Sequence, residues 1–201
     1  MSITKKSILL IFIVLLIDQA SKIYIKLNFV MGDHVEIFSW FKIYFIENNG
    51  MAFGLEIIGK LFLTLFRIVA VGALAYYIHI LIKKQVRAGY ILTISLVLAG
   101  AAGNILDSLF YGLLFSDSYA HVATFLPQGG GYAGLFYGRV VDMLYFPIIK
   151  NAVGETIFFS PIFNVADSAI SVAVGIILIF FRKELNESLE SKKETDVAPT
   201  N

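Results

Sequence analysis

Four long apolar runs, separated by polar and glycine-containing stretches, dominate the pattern of the chain. About 20 apolar residues cross a hydrocarbon core about 30 Å thick when they form a helix. The runs therefore predict an all-α membrane protein with four transmembrane helices, folded as a single membrane-embedded domain over residues 1–183. The predicted spans lie at about residues 7–27, 61–82, 88–109 and 161–181.

Two segments between these runs are too polar or irregular to cross a membrane. Residues 28–60 contain partly alternating aromatic and β-branched residues from Val35 to Ile46, a pattern typical of short strands. Residues 111–159 are rich in glycine, and the apolar residues around Asp142 indicate an interfacial helix on the membrane surface. We therefore expect a small extracytoplasmic β-rich segment and an outer loop with an interfacial helix.

The distribution of basic residues predicts the orientation. Lysine and arginine cluster at the N-terminus, at residues 83–87 and after the fourth run, whereas segments 28–60 and 111–159 carry few. Basic segments stay in the cytoplasm, so both termini are expected to face the cytoplasm and the two long segments to lie outside. The charged residues 184–201 are expected to form a disordered cytoplasmic tail.

Composition supports a membrane location and excludes several classes of function. Of 201 residues, 58% are hydrophobic and 15% charged, whereas soluble domains carry about 25% charged residues. A net charge of +1 gives no support for nucleic-acid binding. The absence of cysteine excludes disulfides and thiolate sites, and the three histidines lie far apart without an HExxH pattern. Neither a metal nor a nucleotide cofactor is expected.

Several polar residues interrupt the apolar runs. A charged group at the centre of a membrane helix costs at least about 2.5–3.5 kcal/mol on insertion scales, so it is usually turned inward and used. Asp18 and Lys22 are four residues apart, in the favourable order for an ion pair. Arg67, about two turns inside the second run, is expected to snorkel to the headgroups. Small residues ending in a carboxylate recur every four positions in the third run and predict close helix packing: Ser95, Ala99, Gly103 and Asp107.

The fourth run carries polar residues near its start. At helical spacing these predict one small, polar face turned inward: Asn164, Asp167, Ser168, Ser171 and Gly175. Asp167 either binds neighbouring helices by hydrogen bonds or lines a reaction site. Counted at about 1.5 Å per residue, Asp18, Lys22, Asp107 and Asp167 all lie in the outer part of the membrane. This shared depth favours a reaction site, because purely structural polar residues would not need to gather at one level.

Two carboxylates in such a site could activate water. Like charges raise one pKa well above about 3.9, so the pair holds one proton near neutrality. One aspartate can then act as a base while the protonated one polarises a peptide carbonyl. Asp142 and Asp167 are the predicted pair, and Asp107 is the rival, although its small neighbours indicate packing.

The chain resembles bacterial lipoprotein signal peptidase, or signal peptidase II. The matching blocks are Asp18-Gln19-Ala20-Ser21-Lys22, Asn48-Asn49-Gly50-Met51-Ala52-Phe53, Gly103-Asn104-Ile105-Leu106-Asp107, Val140-Val141-Asp142-Met143 and Phe163-Asn164-Val165-Ala166-Asp167. Each block is short, but five in the family's order, from the first run to the last, are specific.

The resemblance implies a monomeric aspartic endopeptidase of the inner membrane, with its active site near the outer face. It would remove the signal peptide from diacylglyceryl-modified prolipoproteins by cleaving before the lipidated cysteine, in contact with membrane lipid, without a metal, and inhibited by globomycin. Asp142 and Asp167 would be catalytic. The substrate-binding or supporting residues would be Asp18, Lys22, Asn48, Gly50, Asn104, Asp107, Arg139 and Asn164.

The chain departs from the family's pattern at two places. Ser108 stands where the family usually has an arginine, and Arg139 is expected to replace it beside Asp107. Residues 113–138 look like an insertion, which we expect to form a mobile outer flap hinged at its glycines. Two other classes of function stay open: a transporter or proton channel that relays protons through its carboxylates, and a non-catalytic assembly factor.

Overall fold

The computed structural model describes residues 1–49, 59–148 and 161–188. Its helices are α1 (Ile3–Asn28), α2 (Lys60–Lys83), α3 (Ala88–Leu106), α4 (Val165–Phe180) and the short α5 (Arg182–Ser188). Helix α3 continues through a π-helical turn, Asp107–Tyr111, and a further helical turn, Gly112–Leu114. By length and composition, α1, α2 and the extended α3 can cross a membrane. A fourth span requires α4 and α5 together, which are bent by 93°.

The fourth apolar run divides between a strand and a helix. Ile162 and Phe163 form β4, and Asn164 caps the N-terminus of α4 with its side chain. The 16 residues of α4 measure about 24 Å at about 1.5 Å per residue, less than the hydrocarbon core of about 30 Å. The first residues of the predicted disordered tail are instead helical, and the Tyr77 hydroxyl donates to Ser188 Oγ at 2.7 Å.

The strands form one antiparallel sheet in the order β1 (His34–Phe38), β2 (Phe41–Asn48), β3 (Val140–Tyr145) and β4 (Ile162–Phe163). The prediction of short strands between Val35 and Ile46 is confirmed. The prediction of an interfacial helix around Asp142 is wrong, because this residue lies on β3, paired with Ile46. The apolar residues beside it pack inside the protein: Val141 and Met143 are buried with Phe45 in one cluster.

Helix α3 is the central helix, packed against α1, α2 and α4. Its predicted small-residue stripe is confirmed, since Ser95, Ala99, Gly103 and Asp107 are all buried. A Cβ atom on Gly103 would lie 2.6 Å from Asp18 Oδ2. The glycine therefore lets α1 approach closely enough to bring its carboxylate to α3.

The inward face of α4 differs from the predicted polar face. Its buried residues are Ala166, Ala169, Ala173 and Ile177, whereas Ser171 is exposed. Small alanines allow the backbones to approach, and a Cβ atom on Gly100 would lie 2.3 Å from the Ala166 carbonyl oxygen. The polar residues of α4 therefore act only at its first turn, where Asn164 is buried and Asp167 half-buried.

The connection between the end of α3 and β3, residues 115–139, is packed against the rest of the fold. Its backbone amides at Tyr132, Ala133 and Gly138 donate to carbonyls of Phe115, Gly112 and Ser108, respectively, at 2.9–3.0 Å.

This packing argues against a mobile flap. A Cβ atom on Gly131 would lie 2.0 Å from the Gly112 carbonyl oxygen, and one on Gly138 would lie 2.0 Å from the Asp107 carbonyl oxygen. These two glycines are therefore required for close approach of the backbone.

The variant Gly131→Ala should lower the thermal stability of the purified protein in detergent. The added methyl group would meet the carbonyl oxygens of Gly112 and Leu113 at 2.0 and 2.5 Å, and overpacking of this kind typically costs about 1–3 kcal/mol. Gly129→Ala is the matched control, because nothing lies within 4 Å of a Cβ atom there. Equal unfolding temperatures for the two variants would contradict the packed arrangement.

Candidate active site

The N-terminus of α4 presents one asparagine to several partners. Asn164 Oδ1 accepts from the Asp167 backbone amide at 2.9 Å, and Asp167 Oδ2 accepts from the Asn164 amide at 3.4 Å. This reciprocal pair is a capping box, which satisfies amides at the start of the helix. The Asn164 Nδ2 group remains able to donate, and it lies 2.6 Å from Asp142 Oδ1.

Asp142 is held on β3 by two amides. Asn48, at the end of the neighbouring strand β2, donates from Nδ2 to Asp142 Oδ2. Asn164 donates to the other oxygen. The carboxylate is buried, with 2% of the residue exposed. The two side-chain amides that orient it, from Asn48 and Asn164, carry no charge.

Asn104 on α3 connects the two predicted catalytic aspartates. Its Nδ2 donates to Asp167 Oδ1 at 2.8 Å, and its Oδ1 accepts from Asn164 Nδ2 at 3.0 Å. Asp142 and Asp167 therefore belong to one chain of asparagine amides, although they come from a strand and a helix.

Burial raises the pKa of Asp142 to about 7, and the negative charge of Asp167 is the next cause. The hydrogen bond from Asn164 and the charge of Lys22 act in the opposite direction but are weaker. Near neutrality the Asp142 carboxyl therefore holds its proton for a large part of the time, as expected for a carboxyl that must donate a hydrogen bond.

A second group of carboxylates is paired with a lysine. Lys22 Nζ lies 3.0 Å from Asp18 Oδ2 and 2.8 Å from Asp107 Oδ2, and all three side chains are fully buried. Gln19 Nε2 donates to the same two aspartates at 3.0 and 2.9 Å. Lys22 also donates to Asn104 Oδ1 at 3.0 Å, which links this group to the asparagine chain.

The carboxylates of Asp18 and Asp107 also bind backbone amides of α4 and β3. Asp18 Oδ1 accepts from the Ala166 amide on α4 at 2.9 Å, and Asp107 Oδ2 accepts from the Val141 amide on β3 at 3.3 Å. Each of these amides is one residue away from a predicted catalytic aspartate. The lysine-centred group therefore positions the backbone on which Asp142 and Asp167 stand.

Most of the predicted site residues meet here, with two exceptions. The residues brought together are Asp18, Lys22, Asn48, Asn104, Asp107, Asp142, Asn164 and Asp167. Gly50 lies outside the described residues. The expectation that Arg139 stands beside Asp107 is wrong, because its guanidinium pairs with Glu47 and Asp117 at 3.2 and 2.9 Å.

The sequence reading missed two contributors. Gln19 lies in the first matching block but was given no role there, and its side chain bridges Asp18 and Asp107. Arg67 on α2 lies within electrostatic reach of Asp167, Asp107 and Asp142, and its Nη1 atom is buried. The prediction that Arg67 snorkels to the headgroups is therefore wrong. The sequence contained one indication of this position. Arg67 follows Thr64 by three residues, so the two polar side chains share one face of α2, and Thr64 is buried.

Ser108, at the position where the resemblance implies an arginine, binds its own helix by donating from Oγ to the Asn104 carbonyl at 3.1 Å.

Over residues 1–49, 59–148 and 161–188, no cluster of three or more His, Asp or Glu side chains is arranged to hold a metal ion.

Several known proteins are similar to this chain in sequence, and a solved structure is similar to it in fold. Residues 10–183 match the family described as signal peptidase (SPase) II. The lipoprotein signal peptidase of Porphyromonas gingivalis is 43% identical over 194 residues, which cover 92% of this chain and 86% of that protein. The lipoprotein signal peptidase of Amoebophilus asiaticus is 33% identical, covering 90% and 79%. A solved bacterial membrane enzyme is 27% identical, with a TM-score of 0.60 and coverage of 89% of this chain and 94% of that one. The chain therefore belongs to the signal peptidase II family of membrane proteases.

Proposed function

We propose that the chain is an aspartic endopeptidase that removes the signal peptide from diacylglyceryl-modified prolipoproteins, cleaving before the lipidated cysteine. The observation that carries this proposal is the asparagine chain, in which Asn164 binds Asp142 and Asn104 binds Asp167. The family's relatives are named lipoprotein signal peptidases, which supports this substrate class. Membership of a protease family contradicts the transporter and assembly-factor alternatives.

The proposed reaction uses the two aspartates in different protonation states. Asp167 accepts a proton from a water molecule, and the water oxygen attacks the carbonyl carbon of the scissile peptide. Protonated Asp142, whose pKa is about 7, donates a hydrogen bond to the carbonyl oxygen and then its proton as the tetrahedral intermediate forms. The amide nitrogen then takes up the proton held by Asp167, and one hydroxyl of the intermediate returns its proton to Asp142. The C–N bond breaks, which releases the carboxylic acid and the free amine and restores both aspartates to their starting states.

Asp107 is assigned a supporting role with Asp18 and Lys22. Both of its oxygens are occupied, Oδ1 by Gln19 and Oδ2 by Lys22 and the Val141 amide. A carboxylate bound to a buried ammonium is poorly suited to exchange protons with water. Asn48, Asn104 and Asn164 are assigned to orienting the catalytic carboxylates.

We further propose a four-span topology in which α1, α2, the extended α3 and, as one bent span, α4 with α5 cross the bacterial inner membrane. Both termini lie in the cytoplasm, because the basic residues cluster there. The sheet and the aspartate pair then lie near the outer face, where a lipid-anchored precursor could enter from the membrane.

Replacing either aspartate by the amide, in Asp142→Asn and Asp167→Asn, should abolish cleavage of a diacylated precursor by the purified protein. Asparagine keeps the shape but cannot exchange the proton, and general acid–base catalysis alone contributes about 10²–10⁴-fold. The control is a thermal unfolding curve for each purified variant, which should show a cooperative transition and hence a folded protein. A variant that retains more than about a tenth of the wild-type rate would remove its residue from the pair.

The rate should depend on pH with two limbs. It should fall above about pH 7 as Asp142, whose pKa is about 7, loses the proton that it must donate, and fall in acid as the base becomes protonated. The two apparent pKa values belong to the coupled pair. The measurement is kcat/KM for a diacylated precursor across the pH range, and a rate that climbs steadily into alkali would point to another base.

Lys22→Met should reduce folded yield and thermal stability, because it leaves Asp18 and Asp107 buried without their cation. Breaking one partner of a buried pair typically costs about 3–5 kcal/mol. Lys42→Met is the matched control, since Lys42 pairs with the exposed Glu36 at 2.7 Å and surface pairs contribute about 0–1 kcal/mol. Equal unfolding temperatures for the two variants would contradict the supporting role of the lysine-centred group.

A further inference from the structure

A polar cavity of about 270 Å³ lies outside the aspartate network, beside the end of β2. Six residues line it: Met31, Glu47, Asn49, Asp117, Tyr119 and Arg139. None of them contributes to the asparagine chain or the lysine-centred group. Residues of the predicted insertion supply two of these side chains, so the cavity is formed where that segment meets β2.

The cavity is built on a buried ion pair. Lys26 at the end of α1 pairs with Glu47 on β2, and both side chains are fully buried. Ser118 Oγ lies 2.8 Å from Lys26 Nζ and 2.9 Å from Glu47 Oε1. This arrangement anchors residues 115–139 to α1 and β2 and fixes the wall of the cavity.

Arg139 and Asp117 form the polar lining that a ligand can reach. Their side chains pair at 2.9 Å and are each 35% exposed. Although burial acts in the opposite direction, the Tyr119 amide and Arg139 hold the pKa of Asp117 below its usual value. Both groups are therefore charged near neutrality, and they offer a donor and an acceptor side by side.

The Arg139 side chain is also held in place from within the loop. Its guanidinium lies 4.8 Å from the Tyr132 ring centroid, and its backbone amide donates to the Tyr132 hydroxyl at 2.6 Å. A guanidinium over an aromatic ring is attracted to the ring face. The cavity therefore presents a preformed charged pair rather than mobile surface side chains.

The cavity lies close to the proposed catalytic pair along the chain. Asn48 donates to Asp142, and the next residue, Asn49, lines the cavity. Consecutive Cα atoms are about 3.8 Å apart, and an extended peptide advances about 3.3 Å per residue. Glu47 and Asn48 point to opposite faces of β2, and the strand ends at Asn48. A substrate held at Asp142 would therefore enter the cavity by passing the end of the strand at Asn49, with the first few residues that follow the cleaved bond.

We propose that this cavity binds the first residues of the mature polypeptide, those after the lipidated cysteine, and favours polar side chains there. The inference rests on the proposed function and adds a subsite to it. The acyl chains and the apolar signal peptide are poor occupants, because burying Asp117 and Arg139 against hydrocarbon would leave charged groups without water. A polar peptide segment can instead exchange hydrogen bonds with both.

The test compares three diacylated precursors with the same signal peptide. One ends directly after the cysteine, one continues with four Ser or Asn residues, and one continues with four Leu or Val residues. The wild-type protein should cleave the polar precursor with a kcat/KM about tenfold above the other two. Equal kcat/KM values for the three precursors would overturn the proposal.

Asp117→Asn and Tyr119→Ala should each reduce this preference about tenfold by raising KM for the polar precursor. Tyr119 is 70% exposed, so its replacement keeps the test valid if Asp117→Asn folds poorly. His121→Ala is the control, because His121 is exposed in the same loop and does not line the cavity. A preference that survives both variants would show that the mature residues do not bind here. Cleavage of all three precursors by Asp142→Asn would instead contradict the proposed function, and this readout is independent of the preference.

Discussion

The buried contact of Lys22 with Asp18 and Asp107 is the interaction on which the rest of the structure depends. Removing three charges from water costs several kcal/mol per ion unless the geometry is good and the remaining hydrogen bonds are made. Here the remaining hydrogen bonds to Asp18 and Asp107 are donated by Gln19 and by backbone amides of α4 and β3. One lysine on α1 therefore fixes α3, α4 and the sheet relative to each other. The small residues of α3 are needed because a Cβ atom on Gly103 would occupy the place of the Asp18 carboxylate.

The partners of each carboxylate separate support from proposed chemistry. Asp18 and Asp107 both face the ammonium group of Lys22, at 2.8–3.0 Å. Asp142 is bound by the neutral amides of Asn48 and Asn164, so burial dominates and raises its pKa to about 7. The hydrogen bond from Asn164 lowers this pKa but does not overcome burial, so the amide orients the carboxyl and leaves it able to hold a proton. The site thus places carboxylates that are paired with a cation beside carboxyls that are bound by neutral amides.

Local patterns in the sequence predicted the features that depend on spacing alone. The small-residue stripe of α3 and the strands after α1 follow from periods of four and two residues. The mistakes concern residues whose surroundings come from distant segments. The apolar residues beside Asp142 fit an interfacial helix as well as a buried strand, and only pairing with β2 distinguishes the two. Arg139 was wrongly placed beside Asp107, because its partner Glu47 lies 92 residues away in the chain. The prediction for the inward face of α4 was wrong because close packing requires its small alanines there, while Ser171 faces outward.

Residues 115–139 show why glycine is ambiguous in a single sequence. Glycine allows hinge motion, but it also allows two backbones to touch, and Gly131 and Gly138 serve the second purpose. The Lys26–Glu47 pair shows that close packing, and not hinge motion, applies here, because this pair binds Ser118 and holds the segment in place. Successive side chains of a strand point to opposite faces, so Glu47 contacts the segment on one face of β2 while Asn48 binds Asp142 on the other. The packing of the segment therefore helps to set the position of β2, and through β2 the position of the Asn48 amide that orients the Asp142 carboxyl.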